Sequence, residues 1–460
     1  MTSKAILTMN SGIKVVVPDS LNLITPYVLV EQQDWFEDEI KFLRHILEPG
    51  QQVVDIGANY GLYTLTMAKS VGPSGNVWSF EPASTTASFL AESISCNDFS
   101  HVVLEKSAIS SAAGSAKLTL NEQSEMNSLV RGEDEQGQYE TVQLVTLDET
   151  MERYSWTDVS FLKIDAEGEE SKILQGGARF FAEHSPLVQY EVKAGDDLHF
   201  ELAKQFETMG YESFQLVPGL NCLVPFDKEK HLDGFLLNLF CCKKDRRAQL
   251  EASGWLAHLE ESSSYSMSKE FDPLGWRRAV LEKPYASSLV SRWDKWAEVG
   301  GELQLQEALS NYAISQDSLL PVNVRLYSLE KSFEQLVTLS SAQVASLRLL
   351  SLARVAMEYG ARVVAVNALQ KLAEHILSGG GLNVNEPFLA PTRRFELVSP
   401  VGNIGNWVLA SVLEGYEIAH AFSSFYTGDS SRNRLEMIHK IGLGSPEMDR
   451  RLKLLIQRFG

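Results

Sequence analysis

The stretch Val53-Val54-Asp55-Ile56-Gly57-Ala58-Asn59-Tyr60-Gly61 decides the fold of this chain. Its apolar start is typical of a buried strand, and its glycines predict a tight turn that can approach a ligand closely. Residues 62–69 then have helical character, so the turn also forms the N-terminus of a helix. This order of strand, glycine turn and helix is typical of doubly wound α/β folds, whose ligands lie beyond the carboxyl ends of the strands.

The residues of the turn narrow the class of ligand. A dinucleotide fingerprint reads G-x-G-x-x-G and places a pyrophosphate at the helix N-terminus. Here Asp55 stands where that fingerprint has its first glycine, two residues before Gly57. A carboxylate would repel a pyrophosphate and would suit a cationic ligand, such as the sulfonium and amino acid end of S-adenosylmethionine. An ordinary strand–turn–helix junction without a ligand is the alternative interpretation.

Composition bounds the class of protein. The chain has 460 residues, which is too long for one core and predicts two or three domains. Its formal net charge of -19 argues against a nucleic-acid partner, because phosphate binding needs a basic face. No run of about 18 apolar residues is present, so no membrane span is expected. The four cysteines lack the spacing of a zinc site, and a cytoplasmic location is expected.

Strands alternate with helices between residue 52 and about residue 245. The predicted strands are 53–56, 76–80, 102–105, 161–164 and 187–192, followed by a pair at 213–217 and 235–241. The alternation predicts an α/β doubly wound, largely parallel sheet, and the late pair is expected to be antiparallel at its edge. A polar stretch, 122–140, lies between two further strands and is too long for a plain connection, so it is either a functional loop or partly disordered.

Strand patterns nearly vanish after residue 245, and helical periodicity takes over. We therefore expect two domains, an α/β domain at 1–245 and an all-α domain at 246–460. In the second domain, small residues on facing turns around Gly360 predict a helical hairpin. An antiparallel helical pair is favoured over a tetratricopeptide-type hairpin, because no second copy follows at a period of about 34 residues.

A set of motifs follows in a fixed order along the first domain. They are Asp55-Ile56-Gly57-Ala58-Asn59-Tyr60-Gly61, Phe80-Glu81-Pro82, Thr146-Leu147-Asp148, Leu162-Lys163-Ile164-Asp165-Ala166-Glu167-Gly168 and Tyr190-Glu191-Val192. This ordered set resembles the FkbM family of S-adenosylmethionine-dependent methyltransferases over roughly residues 35–242. Residues 248–460 resemble no family.

The resemblance implies a class I methyltransferase fold, which is Rossmann-like, with S-adenosylmethionine as the cofactor. It also implies methyl transfer to an oxygen, often of a sugar or polyketide. Glu81 would accept the ribose hydroxyls, and Asp165 would lie near the methyl group. The residues that it assigns to cofactor binding are Asp55, Gly57, Ala58, Asn59, Gly61, Glu81, Ser107, Ala108 and Asp165.

Methyl transfer to a hydroxyl requires alignment of the reactants and removal of one proton. The candidates for the base are Asp165, Glu167, Glu191 and His199. The family often has a histidine two residues after its late glutamate, where this chain has Lys193, so the base is left open. Glu167 could instead be an acid at a helix N-terminus.

Two further expectations concern the same acids. Three carboxylates at strand ends could bind a divalent cation, but their spacing is not a metal signature, and no metal is predicted. Lys163 is expected to pair with an acid such as Asp165, because its position in the strand would bury it.

The sequence thus predicts O-methylation of a sugar, a glycan or a related hydroxylated metabolite. The alternative is a non-catalytic cofactor-binding module that serves as a scaffold for the helical domain. An oxidoreductase is disfavoured by Asp55. The expected partners are the acceptor and, through the helical domain, a second copy of the chain or another protein.

Overall fold

The computed structural model describes residues 3–459 except 122, 125–126, 130–137, 195–196, 199, 229–232, 259–273, 282, 342–346 and 401. The candidate base His199 lies outside the described residues. The chain divides into two compact units. The first comprises Met1–Leu216, Pro225–Asp227 and Leu236–Ser253, and the second comprises Val217–Val224, Lys228–Phe235 and Gly254–Gly460.

The strands of the chain are β1 (Lys4–Thr8), β2 (Lys14–Pro18), β3 (Gln52–Ile56), β4 (Asn76–Phe80), β5 (Val102–Glu105), β6 (Ser107–Ile109), β7 (Gly114–Leu120), β8 (Gln138–Val145), β9 (Val159–Ile164), β10 (Leu187–Glu191), β11 (Lys193–Ala194), β12 (Asp197–Leu198), β13 (Glu212–Val217), β14 (Cys222–Pro225) and β15 (Asn238–Cys242). The helices of the first unit are α1 (Ile24–Gln32), α2 (Asp38–Ile46), α3 (Leu62–Val71), α4 (Ser84–Cys96), α5 (Leu147–Tyr154), α6 (Glu170–Gln175), α7 (Ala178–Glu183), α8 (Glu201–Thr208) and α9 (Lys244–Ala252).

An eight-stranded sheet organises these elements in the order β14-β13-β15-β10-β9-β3-β4-β5. The five neighbouring strands β10, β9, β3, β4 and β5 are parallel. Strand β15 is antiparallel to β10 on one side and to β13 on the other. The predicted doubly wound α/β sheet is confirmed. Its antiparallel strand β15 lies two places in from the end of the sheet. The chain reverses its direction of winding between β3 and β9, which is where such a fold places its ligand.

The central strands β3 and β9 are buried over nearly their whole length. Their apolar residues, which include Val54, Ile56, Leu162 and Ile164, join one core cluster. Strands covered on both faces have continuous apolar sequences rather than alternating ones, which explains the sequence pattern around residue 53. Polar side chains in these strands are therefore exceptions that need an explanation.

A second, three-stranded sheet has the order β6-β8-β7 and follows β5. It packs on the segment after β4 through a small cluster of Ala83, Leu118 and Val142. The backbone N–H of Ser84 also donates to Glu140 Oε2 at 3.0 Å. This sheet thereby brings the chain between β7 and β8 close to the end of β4.

The glycine turn joins β3 to β9 through a very close backbone approach. Gly57 has φ 80°, and a Cβ built on it would lie 1.6 Å from the carbonyl oxygen of Asp165. The backbone N–H of Asp165 donates to the carbonyl of Ile56 at 3.1 Å. Gly61, with φ 87°, would place a Cβ 2.2 Å from Leu90 in α4. Gly57 is therefore required by a backbone contact within the protein, and Gly61 is favoured by its left-handed φ, whereas the sequence alone predicted room for a ligand.

The second unit is helical among its described residues after Gly254. Its helices are α10 (Trp276–Val280), α11 (Val290–Glu298), α12 (Leu303–Ser315), α13 (Val322–Ser340), α14 (Arg348–Tyr359), α15 (Arg362–Leu377), α16 (Arg393–Glu396), α17 (Ile404–Ala419), α18 (Ser424–Thr427), α19 (Arg432–Ile441) and α20 (Pro446–Phe459). Gly360 ends α14 with φ 95°, and α15 begins two residues later. The predicted helical pair around Gly360 is confirmed.

We expect Gly57→Ala to destabilise the protein more than Gly210→Ala. Gly210 has a similar φ of 82°, but its Cβ would meet no atom within 4 Å. The left-handed backbone alone costs alanine about 1–2 kcal/mol, and the collision at Gly57 adds roughly 1–3 kcal/mol. Thermal denaturation of both variants measures the difference. Equal losses in melting temperature would show that the backbone contact with Asp165 is not tight.

Candidate active site

A cleft opens at the carboxyl ends of β3, β4 and β9. Its empty space is about 730 Å³, including the open mouth. The predicted site residues that line it are Gly57, Asn59, Glu81, Ser107, Ala108, Asp165 and Glu167. Three strand ends and the start of the small sheet thus contribute to one cleft, as expected for a parallel sheet whose carboxyl ends share an edge.

Asp55, Ala58, Gly61 and Glu191 are not among the residues that line this cleft. Asp55 is fully buried, and its Oδ2 accepts a hydrogen bond from Thr64 Oγ1 at 2.5 Å. Burial raises the pKa of Asp55, and the charge of Lys163 opposes that rise. Its side chain therefore ties the end of β3 to α3. The contact of Asp55, Ala58 and Gly61 with a cofactor stays a prediction, and so does the catalytic role of Glu191.

Glu81 is held at the end of β4 by two backbone donors. The N–H of Asn59 donates to Oε2 and the N–H of Ala83 donates to Oε1, both at 2.9 Å. Burial raises the pKa of Glu81 to about 7, although these two hydrogen bonds act in the opposite direction. Each carboxylate oxygen has a second lone pair, so Glu81 can still accept hydrogen bonds from a ligand in the cleft.

Ser107 offers a second polar contact inside the cleft. Its Oγ is buried and finds no hydrogen-bond partner among the described residues. Buried hydroxyl groups are nearly always hydrogen-bonded in folded proteins. A ligand that carries a polar group at this place would satisfy Ser107.

The described residues between β7 and β8 form a wall of the cleft, and none of them was a predicted site residue. Ser124, Asn127, Ser128 and Leu129 line the cleft, and so does Glu169. Ser124 Oγ donates to the Oδ1 of Asn59 at 2.9 Å, which links this wall to the glycine turn. The sequence signal was the length and polarity of 122–140, and the functional reading of that segment fits its described residues.

Three carboxylates meet at the end of β9. Ligand-type oxygens of Asp165, Glu167 and Glu191 all lie within 4.8 Å of one another. Burial, together with the charges of Asp165 and Glu167, raises the pKa of Glu191 to about 8. Such a group is protonated near neutral pH more readily than an ordinary glutamate. The spacing would also permit a shared cation, but acids gather in this way without one, and it supports no metal assignment.

Glu167 does not lie in the first turn of helix α6, which was the alternative interpretation of this residue. The first-turn acid of α6 is Glu170, whose Oε1 accepts from the backbone N–H groups of Ala166 and Gly168 at 3.1 and 3.0 Å. Glu167 itself has φ 47° and lines the cleft. The side chain of Glu170 thus satisfies the turn, and Glu167 lines the cleft.

Two further acids, Glu37 and Glu39, lie at the start of α2, where Glu37 is the N-cap residue. No sequence pattern predicted that they belong to this part of the molecule. Glu37 Oε2 accepts from Tyr63 Oη at 2.5 Å and from Asn238 Nδ2 at 3.2 Å, while its Oε1 accepts from Trp35 Nε1 at 2.7 Å. Burial raises the pKa of Glu39 to about 8, and the charge of Glu37 contributes to that rise. The hydrogen bond between Asn238 and Glu37 joins segments about two hundred residues apart, which local sequence patterns do not record.

Comparison with known proteins identifies the domain. Residues 55–213 match the family model of the methyltransferase FkbM domain. The predicted resemblance is confirmed, and the family depends on S-adenosylmethionine, which confirms the predicted cofactor. No family model matches the C-terminal region. No curated protein matches the chain.

Similar solved structures include methyltransferases from several organisms. A SAM-dependent methyltransferase from Aquifex aeolicus is 12% identical, with 47% of this chain and 92% of that chain covered and a TM-score of 0.27. A SAM-dependent O-methyltransferase from Thermotoga maritima is 14% identical, with 52% and 77% covered and a TM-score of 0.26. Aeropyrum pernix fibrillarin with bound S-adenosyl-L-methionine is 12% identical, with 53% and 100% covered and a TM-score of 0.29.

The cleft of the FkbM domain fits the cofactor of its family. Glu81 provides a buried carboxylate that can still accept hydrogen bonds. Ser107 provides a buried hydroxyl group without a hydrogen-bond partner among the described residues. These groups complement the hydroxyls and the base of a nucleoside. Among the residues that the structure describes, no helix has the length and hydropathy needed to cross a bilayer.

We expect stability to depend on pH through Glu81. The folded protein holds a proton on Glu81 up to a pKa of about 7, whereas the ordinary value is 4.5. Between these values the folded state binds more protons than the unfolded state, so the free energy of unfolding falls as pH rises. In Glu81→Gln this contribution is absent, and melting temperature should decline less between about pH 5 and pH 8.

The matched control for this measurement is Glu207→Gln, which changes an exposed glutamate on α8. It should retain the pH profile of the unaltered protein. Parallel melting profiles for Glu81→Gln and the unaltered protein would contradict the raised pKa.

Proposed function

We propose that this chain is an O-methyltransferase that acts on a hydroxyl of a sugar, a glycan or a related hydroxylated metabolite. The methyltransferase class comes from the FkbM match over residues 55–213. The observation that carries the finer proposal is the meeting of Asp165, Glu167 and Glu191 beside the cleft. Acids at this place can accept hydrogen bonds from a polyhydroxylated acceptor and can remove its proton.

The cofactor would bind along the cleft from the glycine turn to the small sheet. Gly57 and Asn59 would border its methionine end, Glu81 would accept its ribose hydroxyls, and Ser107 with Ala108 would flank its adenine. When bound, S-adenosylmethionine supplies a methyl group on a positively charged sulfur. Placing acids near such a sulfonium is electrostatically favourable.

The protein would contribute alignment and proton removal. Asp165 lies on the cleft, and Glu191 has a pKa raised to about 8 by burial and by its neighbours, Asp165 and Glu167. A base works best when its pKa lies near the working pH, so Glu191 is well suited to take the proton of a hydroxyl. Asp165 would accept a hydrogen bond from the same acceptor and orient it.

A second candidate function is a non-catalytic module that binds the cofactor and displays the helical unit. We propose that residues 246–460 contribute to acceptor choice, to self-association or to binding of another protein. A cytoplasmic location belongs to the same proposal and is supported by free thiols at Cys96, Cys222, Cys241 and Cys242.

We expect S-adenosylmethionine to bind the full chain and Glu81→Gln to weaken that binding. Loss of a charge-assisted hydrogen bond is worth about 1.5–3 kcal/mol, or roughly 10–150-fold in the dissociation constant. Isothermal titration calorimetry measures it, with Glu207→Gln as the control that keeps its affinity. Preferred binding of NAD, or equal affinities of the two variants, would contradict the assignment of the cleft.

We expect Asp165→Asn and Glu191→Gln to separate the roles of the two acids. An amide keeps size and polarity but cannot accept the proton, so the variant at the base should lose about 10²–10⁴-fold in kcat while its cofactor affinity changes little. The measurement is S-adenosylhomocysteine release with an acceptor identified from nucleotide sugars, glycans and lipid-linked sugars. Rates near that of the unaltered protein in both variants would exclude both acids and make His199→Ala the next measurement.

Complete absence of turnover with cofactor binding intact would favour the scaffold function. The decisive comparison is then between the full chain and Glu81→Gln in a pull-down of proteins that recognise the cofactor-bound form. Binding that depends on the cofactor would support the scaffold, and binding that ignores it would leave neither function supported.

A further inference from the structure

Lys163 is a buried cation directly behind the acids of the cleft. Its Nζ donates to Asp165 Oδ2 at 2.7 Å. The side chain of Lys163 is 6% exposed, whereas that of Asp165 is 39% exposed. The ion pair predicted from the sequence is therefore asymmetric, because it starts in the core at Lys163 and ends at the cleft with Asp165.

The surroundings of Lys163 hold it from several sides. In the sheet it lies opposite Asp55 of β3 and opposite Gln189 of β10. Its Nζ lies 4.7 Å from the centre of the Tyr63 ring in α3, a favourable cation–π distance. Gln189 Nε2 donates to Tyr63 Oη at 2.9 Å, and Tyr63 Oη donates in turn to Glu37. These contacts leave the ammonium little freedom to move.

The electrostatic balance also favours a fixed charge. Burial lowers the pKa of Lys163, but the charges of Asp165, Asp55 and Glu37 outweigh this and hold it above its usual value. Removing a buried ammonium from such a group leaves uncompensated negative charge, which is costly. The site therefore keeps Lys163 charged throughout the physiological pH range.

The buried Lys163 is fixed in place, and its partner Asp165 faces the cleft. The position of Lys163 therefore determines the position of a carboxylate that a ligand can touch. The hydrogen bond from Lys163 Nζ to Oδ2 also fixes the rotation of the Asp165 carboxylate.

We propose that Lys163 is a positioning residue of the methyl-transfer site: its ammonium, seated on the Tyr63 ring, fixes the carboxylate of Asp165 in the orientation that the acceptor requires. This inference rests on the proposed function, because it needs Asp165 beside the acceptor. Lys163 does not line the cleft, so it acts through Asp165 and does not touch the reactants.

The test is a double-mutant cycle of Lys163→Met and Asp165→Asn in the full chain, with kcat and the cofactor dissociation constant measured for each variant. If Lys163 acts through Asp165, Lys163→Met alone lowers kcat at least about tenfold and changes the cofactor dissociation constant less than about threefold. In the Asp165→Asn background the same change alters kcat less than about twofold. A general structural role would lower kcat by the same factor in both backgrounds.

The matched control is Lys204→Met, which removes a lysine from another ion pair of 2.7 Å, between Lys204 and Glu201 at the surface. It should leave kcat unchanged. If Lys163→Met does not fold, Lys163→Arg takes its place in the cycle, because it keeps the cation but displaces its contact with Asp165. Equal factors in the two backgrounds would overturn the inference while leaving the proposed function intact. Absence of turnover in the unaltered protein would overturn both.

Discussion

The close backbone approach between Gly57 and Asp165 is the constraint on which the site depends. A side chain at Gly57 would collide with the Asp165 carbonyl at 1.6 Å, so the turn after β3 and the end of β9 can meet only because residue 57 has no Cβ. This contact brings together two loops that are more than a hundred residues apart. It places the glycine turn, which lines the cleft, directly beside the acids at the end of β9. The in-line geometry of methyl transfer needs this adjacency.

Charge at this edge is arranged at the expense of stability. Glu39, Glu81 and Glu191 all have a raised pKa, because burial and neighbouring acids disfavour their ionised forms. A fold selected for stability alone would not bury Asp55 and Glu37 beside one ammonium, Lys163. Groups with strongly shifted pKa values that converge on a cleft are typical of functional sites. The physical cost of the cluster is itself an argument that the cleft has a chemical role.

Local sequence pattern predicted the parts of the site that depend on strand ends. Parallel strands place their carboxyl ends at one edge, so Glu81 and Asp165 could be located from the order of strands alone. The pattern did not show which way Asp55 points, because an acid at the end of a strand can face a ligand or bond to its own helix. Nor did it show the contact between Glu37 and Asn238, since helical periodicity in α2 records burial but not the partner. The sequence pattern therefore did not predict contacts between residues that are far apart along the chain.

The origin of these residues bears on how acceptors are chosen. The part of the cleft that we propose holds the cofactor, from Gly57 to Ala108, lies wholly within the segment that matches the FkbM model, 55–213. The acidic edge also uses Glu37 before that segment and Asn238 after it, and their hydrogen bond reaches the network of Tyr63 and Lys163. If the acceptor binds at this edge, as proposed, its surroundings are set partly by chain outside the matched domain. A shared domain can then preserve one cofactor and one reaction, while flanking segments vary the electrostatics and shape that the acceptor meets.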